Sequence, residues 1–219
     1  MIKQSTHTEI GAIWDYLYAQ ERIKRSNRNM KIVFATNNAH KLSEVKAVLG
    51  EGFELVTLKE VGIVEDIPET GETLDENASI KARYVFERTG LDCFADDTGL
   101  EVEALNGAPG VRSARYATDG HDFAANNRKL LRELEGVTNR KARFRTVISL
   151  IRSGVEQQVE GIVNGHIATE EAGCGGFGYD PLFIPEGESV TFAEMTADQK
   201  NSISHRGRAV AELVKVLTK

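Results

Sequence analysis

The sequence predicts an α/β protein with an elongated mixed central sheet flanked by helices. Two observations carry this. From Met30 onward, short apolar runs of strand type alternate with helical patterns, the signature of βα units. Further on, two long strand-like runs, 142–151 and 155–164, are separated by Ser153-Gly154, a hairpin signal. Parallel units joined to a hairpin make the sheet mixed.

The elements follow in order. Residues 31–36 read as a strand through Ile32, Val33 and Phe34. A helix follows to about residue 49, with Leu42, Val45, Val48 and Leu49 on one face and Gly50 as its stop. Residues 53–57 form the next strand. Thr73-Leu74-Asp75-Glu76 fits a capping box, which opens a helix running to about Arg88. The apolar run 91–95 then reads as a short strand that ends in Asp96-Asp97-Thr98-Gly99. A Gly/Pro-rich loop, 105–110, and a helix near 122–134 precede the hairpin. A glycine-rich loop, 173–179, comes before a final helix that turns Val210, Leu213, Val214 and Leu217 inward.

Residues 1–29 differ. Ile10, Ile13, Trp14, Leu17 and Tyr18 recur at helical spacing, and a polar basic stretch, 21–29, follows like a linker. This segment is expected to be an extension without catalysis, leaving 30–219 as the working domain. The 219 residues suffice for a sizeable core, and 41% hydrophobic with 27% charged residues is the balance of a soluble globular protein. A net charge of −6 argues against a nucleic-acid polymer as partner but leaves room for a local phosphate pocket. Cys93 and Cys174 lie too far apart in sequence to suggest a disulfide framework or a metal knuckle. No run has the length of a membrane span and no secretion signal is evident, so the cytoplasm is the expected compartment.

Five places carry chemistry. Asp96 and Asp97 at a strand end would repel each other unless a cation lies beside them, which suggests a divalent metal, a general base or both. The bland alternative is a solvated turn. Thr36, Asn37, Asn38, Ala39, His40 and Lys41 sit between a strand and a helix, where backbone N–H groups and the dipole favour an anion; a plain turn with a surface His40 and a solvated lysine is the alternative. An acid ahead of the capped helix, among Glu69, Glu72 and Glu76, is a metal ligand opposite Asp97 or a partner of the helix dipole, and Lys81 either faces the site or is solvated. In the glycine-rich loop, Phe177, Gly178, Tyr179 and Asp180 offer two rings for a base and a carboxylate for a donor edge, or else anchors for a mobile loop. Lys200, His205 and Arg206 flank the N-cap Ser204, with Arg206 shaped for a purine edge or phosphate.

Taken together, Thr-x-Asn-x-x-Lys, Glu-Thr-Gly, Ala-Asp-Asp-Thr-Gly-Leu, Gly-Ala-Pro-Gly-Val-x-Ser-Ala-Arg-Tyr, Gly-Gly-Phe-Gly-Tyr-Asp-Pro and Ser-His-Arg-Gly occur in this order. The order resembles the inosine triphosphate pyrophosphatase family across about residues 30–217. The resemblance implies two lobes around a long mixed sheet with the nucleotide in the cleft between them. It also implies Mg²⁺-dependent hydrolysis of ITP, dITP and XTP to the monophosphate and pyrophosphate by a homodimer. Residue by residue, Thr36, Asn38 and Lys41 match its phosphate turn. Asp97 matches its general base, and Glu69 with Asp97 its metal acids. Thr98 falls where a serine is common, Phe177 to Asp180 match the nucleotide loop, and Lys200, His205 and Arg206 match further substrate contacts. Asn37 departs from a usual glycine, and asparagine tolerates left-handed backbone better than most residues.

The same resemblance implies a selectivity logic. Arg206 and His205 as donors would favour a 6-oxo purine over adenine, and a mismatched buried donor discriminates strongly. Two rivals stand beside it: a pyrophosphatase for another nucleotide, and a nucleotide-binding regulator without turnover. The acid cluster argues against the second, because binding alone needs no paired carboxylates.

Overall fold

The computed structural model describes residues 30–219; the helix read over residues 10–18 and the stretch 21–29 lie outside the described residues. The elements are β1 (Met30–Phe34), α1 (Ala39–Leu49), β2 (Phe53–Thr57), α2 (Leu74–Thr89), β3 (Cys93–Val102), α3 (Phe123–Glu133), β4 (Lys141–Arg152), β5 (Val155–Ile167), β6 (Phe183–Pro185), α4 (Ala197–Ile203) and α5 (His205–Leu217). Among the described residues they build one six-stranded sheet in the order β2-β1-β3-β4-β5-β6. β1 pairs parallel with β2 and β3, and the remaining neighbours are antiparallel, so the sheet is mixed as its sequence predicts.

Local chemistry explains the boundaries. Asn38 accepts from the N–H groups of His40 and Lys41 to start α1. The Thr73–Glu76 capping box opens α2, and Gly90 in the left-handed region closes it. Ser204 starts α5 by accepting from Gly207 N.

One boundary departs from expectation. The strand through the two aspartates does not stop at Ala95; β3 runs from Cys93 to Val102, and Asp96 and Asp97 lie inside it. Pairing supplies the reason. β4 stays in register with β3 from Cys93↔Ile151 to Val102↔Ala142, so the ladder carries the strand past the acids. β1 pairs with β3 only at Cys93 and Phe94. Farther along, the Gly/Pro loop and the segment after it take over that edge, with Val102 N donating to Ala108 O and Leu100 N to Ser113 Oγ. Gly99 is needed there, because a Cβ would come within 2.6 Å of Gly110 O. Between these two coverings, the edge at Asp96–Thr98 is left open.

Strand alternation then sorts the core. Phe34, Phe94, Ile148 and Leu150 pack against α1 and α5, and the Phe34 and Phe94 rings stack at 4.5 Å. On the opposite face, Val33, Ala35, Cys93 and Ala95 pack against Ala82 and Val85 of α2. A second lobe lies farther along β3–β5, where Leu100, Leu130, Phe144, Phe183 and Phe192 form their own buried cluster. Each such side chain contributes about 1.5–3 kcal/mol by burial. No helix among the described residues is long and apolar enough to cross a membrane.

Candidate active site

A cavity of about 450 Å³ opens between the lobes, over the uncovered edge of β3, within the size range of small-molecule sites. Its upper wall is the turn after β1 and the 66–69 segment; its lower wall is Phe144, the 177–180 loop and the start of α5.

Alternation sends the two aspartates to opposite faces. Asp96 is 1% exposed and turns toward α1 and α5. Its Oδ1 accepts from Lys41 Nζ at 3.1 Å, and its Oδ2 from Arg206 Nε and Nη2, both at 3.3 Å. Thr98 joins the same side, accepting from Arg206 Nη2 at 3.1 Å and touching Thr146 Oγ1 at 2.8 Å. Asp97 turns toward α2, where Lys81 Nζ donates to Oδ1 at 2.9 Å and Asn77 Nδ2 reaches Oδ2 at 3.4 Å. Lys81 also donates to Glu69 Oε1 at 2.7 Å, and Arg115 approaches the other oxygen of Glu69 at 3.3 Å.

The surroundings set the charge states. Burial pushes the Asp96 carboxyl up, but Lys41, Arg206 and Lys81 outweigh it and hold it well below the usual carboxylate range. For Asp97 burial wins over Lys81 and Lys41, and its pKa lies above the ordinary value. Lys81 is pulled down by burial and up by Asp97, Glu69 and Asp96; the acids prevail and it stays charged. Burial, with Arg206 and Lys200 nearby, keeps His205 neutral, and its Nδ1 is buried without a partner. The ring stacks on Phe144 at 4.5 Å.

A second ionic knot lies on the α5 side. Glu44 of α1 bonds Lys200 Nζ at 2.6 Å through Oε1 and Arg206 Nη1 through Oε2. Lys200 also donates to Asp180 Oδ2 at 2.7 Å, and Phe177 N donates to that oxygen at 2.8 Å.

The profile of the Ham1 family matches residues 32–216. The chain belongs to the Ham1 family. It is 57% identical over 184 residues, 84% of this chain and 95% of the relative, to a dITP/XTP pyrophosphatase from Porphyromonas gingivalis. Among solved structures, a HAM1 protein from Coxiella burnetii matches with a TM-score of 0.80 and 42% identity over 86% of this chain and 98% of that one. A nucleoside-triphosphatase (dITP/XTP pyrophosphatase) from Mycobacterium abscessus matches with a TM-score of 0.70 and 48% identity over 84% and 98%. The resemblance read from the ordered motifs is thereby borne out.

Against this Ham1 cleft, the candidate site residues read from the sequence fall into two groups. Thr36, Asn37, Asn38, Lys41, Glu69, Asp97, Thr98, Phe177, Gly178, Tyr179, Asp180, Lys200, His205 and Arg206 all line the cavity. Ala39 and His40 do not; both are exposed on α1, with the His40 imidazole stacked on Phe177 at 5.0 Å.

Some of the residues singled out in the sequence are placed differently from expectation. Asp96 and Asp97 are not two acids repelling at a strand end, because each faces its own cations. The Arg206 fork is engaged by Glu44, Asp96 and Thr98 rather than open to a base edge. The Asp180 Oδ2 is held by Lys200 and a backbone N–H rather than waiting for a donor edge. The Tyr179 ring belongs to the lower core and its hydroxyl donates to Ser113 O at 2.9 Å, leaving Phe177 as the loop's ring beside the cavity. The α1 N-terminus is not bare, since Asn38 Oδ1 already caps two of its N–H groups. Asn37 keeps a negative φ, and its amide donates to Asp66 Oδ1 at 3.0 Å; the departure from glycine strains nothing.

Three contributors escaped the sequence reading: Glu44, Asn77 and Arg115. Arg115 stands in the Gly-Ala-Pro-Gly-Val-x-Ser-Ala-Arg-Tyr motif without a role read from it, and the other two had a spacing signal. Glu44 follows Lys41 by three residues, and Asn77 precedes Lys81 by four, the spacings that share a helix face.

Proposed function

We propose that the chain is a Mg²⁺-dependent pyrophosphatase that hydrolyses noncanonical purine nucleoside triphosphates, ITP, dITP and XTP, to the monophosphate and pyrophosphate. The observation that carries this reading is the set of buried or nearly buried cations, Lys41, Lys81, Lys200 and Arg206, each held by carboxylates around the cleft. Burying so many cations around one cleft carries a desolvation cost, and a polyphosphate is a ligand whose charge they match. The relatives named as dITP/XTP pyrophosphatases support the same chemistry.

Each residue then has a task. Lys41 and Lys200 neutralise phosphate charge as the pyrophosphate leaves. Asp97, which lines the cavity, orients the attacking water and takes its proton, while Asp96 is held ionised by its two cations. Phe177 stacks on the base. His205 presents its unpartnered Nδ1 to the purine edge, the role assigned jointly with Arg206 from sequence. Glu69 and Asp97 fit a hard divalent cation, because their oxygens already converge on one positive charge, the Lys81 ammonium. Mg²⁺ bound at this pair supplies Lewis-acid neutralisation of phosphate oxygens. Residues 30–219 form the catalytic unit of a cytoplasmic homodimer, with 1–29 an appendage.

The test measures pyrophosphate release from ITP, dITP, XTP, GTP and ATP with Mg²⁺, beside Asp97→Asn. Fast turnover of ITP, dITP and XTP, slow GTP and ATP, and an inactive folded variant are expected. Bound ITP with no release would instead favour a regulator, and equal turnover of all five would sink the selectivity.

A further inference from the structure

Lys81 reaches from α2 into the cleft, and its ammonium lies 2.7 Å from Glu69 Oε1 and 2.9 Å from Asp97 Oδ1. The two oxygens converge on a point that already carries a positive charge. A hard divalent cation asks for the same oxygens at about 2.0–2.1 Å and completes its shell with water and substrate phosphate. Among the described residues no group of three or more His, Cys, Asp or Glu is arranged to hold a metal ion. The carboxylate pair is therefore only the protein's part of such a site. Other cations crowd it as well: Arg115 lies against Glu69, while Lys41 faces the same cavity.

We propose that Lys81 keeps the Glu69–Asp97 pair closed to a free divalent cation and opens it only to one arriving on nucleotide phosphate. The substrate of this site is then the preassembled metal–nucleotide complex. This deepens the pyrophosphatase reading above and rests on it.

The physics is an exchange of partners. An ammonium and a divalent cation cannot share one point, because unit charges a few Å apart repel strongly away from bulk water. Free metal that displaced Lys81 would strand a buried ammonium without an anion, a costly state. A bound triphosphate removes that cost by offering oxygens to the displaced ammonium. The flexible four-carbon stem lets Nζ move between partners while α2 stays in place. Asn77, one turn earlier on α2, remains at Asp97 Oδ2 and holds the carboxylate as Lys81 leaves.

The experiment measures Mn²⁺ binding at pH 8 by the electron paramagnetic resonance signal of the free ion. Without nucleotide, wild type is expected to bind weakly and Lys81→Met at least about tenfold more tightly, since a competing unit charge is gone. Adding Asp97→Asn to Lys81→Met should return binding to the weak level and so place the ion at this pair. A nonhydrolysable ITP analogue should tighten Mn²⁺ binding to wild type and narrow its gap to Lys81→Met. Lys81→Met binding no more tightly than wild type would overturn the proposal.

Circular dichroism checks that the variant folds. If it does not, the nitrogen-15 signal of the Lys81 ammonium, assigned by its loss in Lys81→Arg, decides on wild type. It should ignore Mg²⁺ alone and move when the analogue is added with Mg²⁺; movement with Mg²⁺ alone would overturn the proposal. Absence of pyrophosphate release from every nucleotide would sink the pyrophosphatase reading instead, and the nucleotide-free Mn²⁺ comparison reports on Lys81 either way.

Discussion

The two faces of β3 treat adjacent aspartates in opposite ways. On the α1–α5 face, Asp96 is fixed by Lys41 and Arg206, and Glu44 ties Arg206 to Lys200. On the α2 face, Asp97 has Lys81 and a long contact to Asn77, and it lines the open cavity. One carboxylate is held ionised inside a network; its neighbour is held where its charge is costly and lines the cavity. A single strand thus separates an anchor from the proposed base by nothing more than the alternation of its side chains.

The contrast is open to attack by substitution. The largest effect is expected for Asp97→Asn, which keeps shape and removes the base: turnover of ITP should fall about 10²–10⁴-fold. Its unfolding free energy in urea should stay within about 1 kcal/mol of wild type, as Glu69 still pairs with Lys81. A stable protein that keeps its turnover would break the assignment. Asp96→Asn should do damage of another kind, leaving Lys41 and Arg206 underpaired in the interior at a cost of about 3–5 kcal/mol in the same urea titration. Were Asp96→Asn as stable as wild type, the α1–α5 face would not be an anchor.

Glu44→Gln comes next. It removes one anion from two cations that each keep another, so a loss of about 1–3 kcal/mol is expected, with KM for ITP changing more than kcat. An unchanged KM would detach Glu44 from the substrate cations. Arg145→Ala is the smallest. Its partners Asp75 and Glu160 are 42% and 50% exposed, and an ion pair that solvated is worth about 1 kcal/mol or less. A larger loss would mean that surface pairs rival the buried network.

Much of this was legible in the sequence, and the exceptions have physical causes. Periodicity and caps located α1, α2 and α5, because the apolar face of Val45 and Leu49 and the Thr73–Glu76 box are local signals. The end of β3 was not, since Asp96-Asp97-Thr98-Gly99 reads as a turn and only pairing with β4 carries the strand onward. The motif residues reached the cleft because spacing within each segment fixes which side chains emerge together. Their pairing state did not follow. Whether Arg206 meets a purine or Glu44 depends on a contact across 162 positions. Glu44 shares a helix face with Lys41, but that spacing does not say that its partners are Lys200 and Arg206.

pH supplies the closest test of the two-face account. Asp96, with its folded pKa below the unfolded value of about 3.9, adds stability above that pH and loses it as pH falls further. Asp97 has the opposite sign. Its folded pKa lies above the unfolded one, so the native state takes up its proton first and its cost to stability is relieved as pH falls through the folded value. The measurement is the carbon-13 carboxyl shift of Asp96 and Asp97 against pH in the ligand-free protein. Asp97 should titrate above the ordinary aspartate range while Asp96 stays ionised as far down as the fold persists. Both titrating together near the unfolded value, or Asp96 titrating first, would contradict the division of β3 into an anchor and a base.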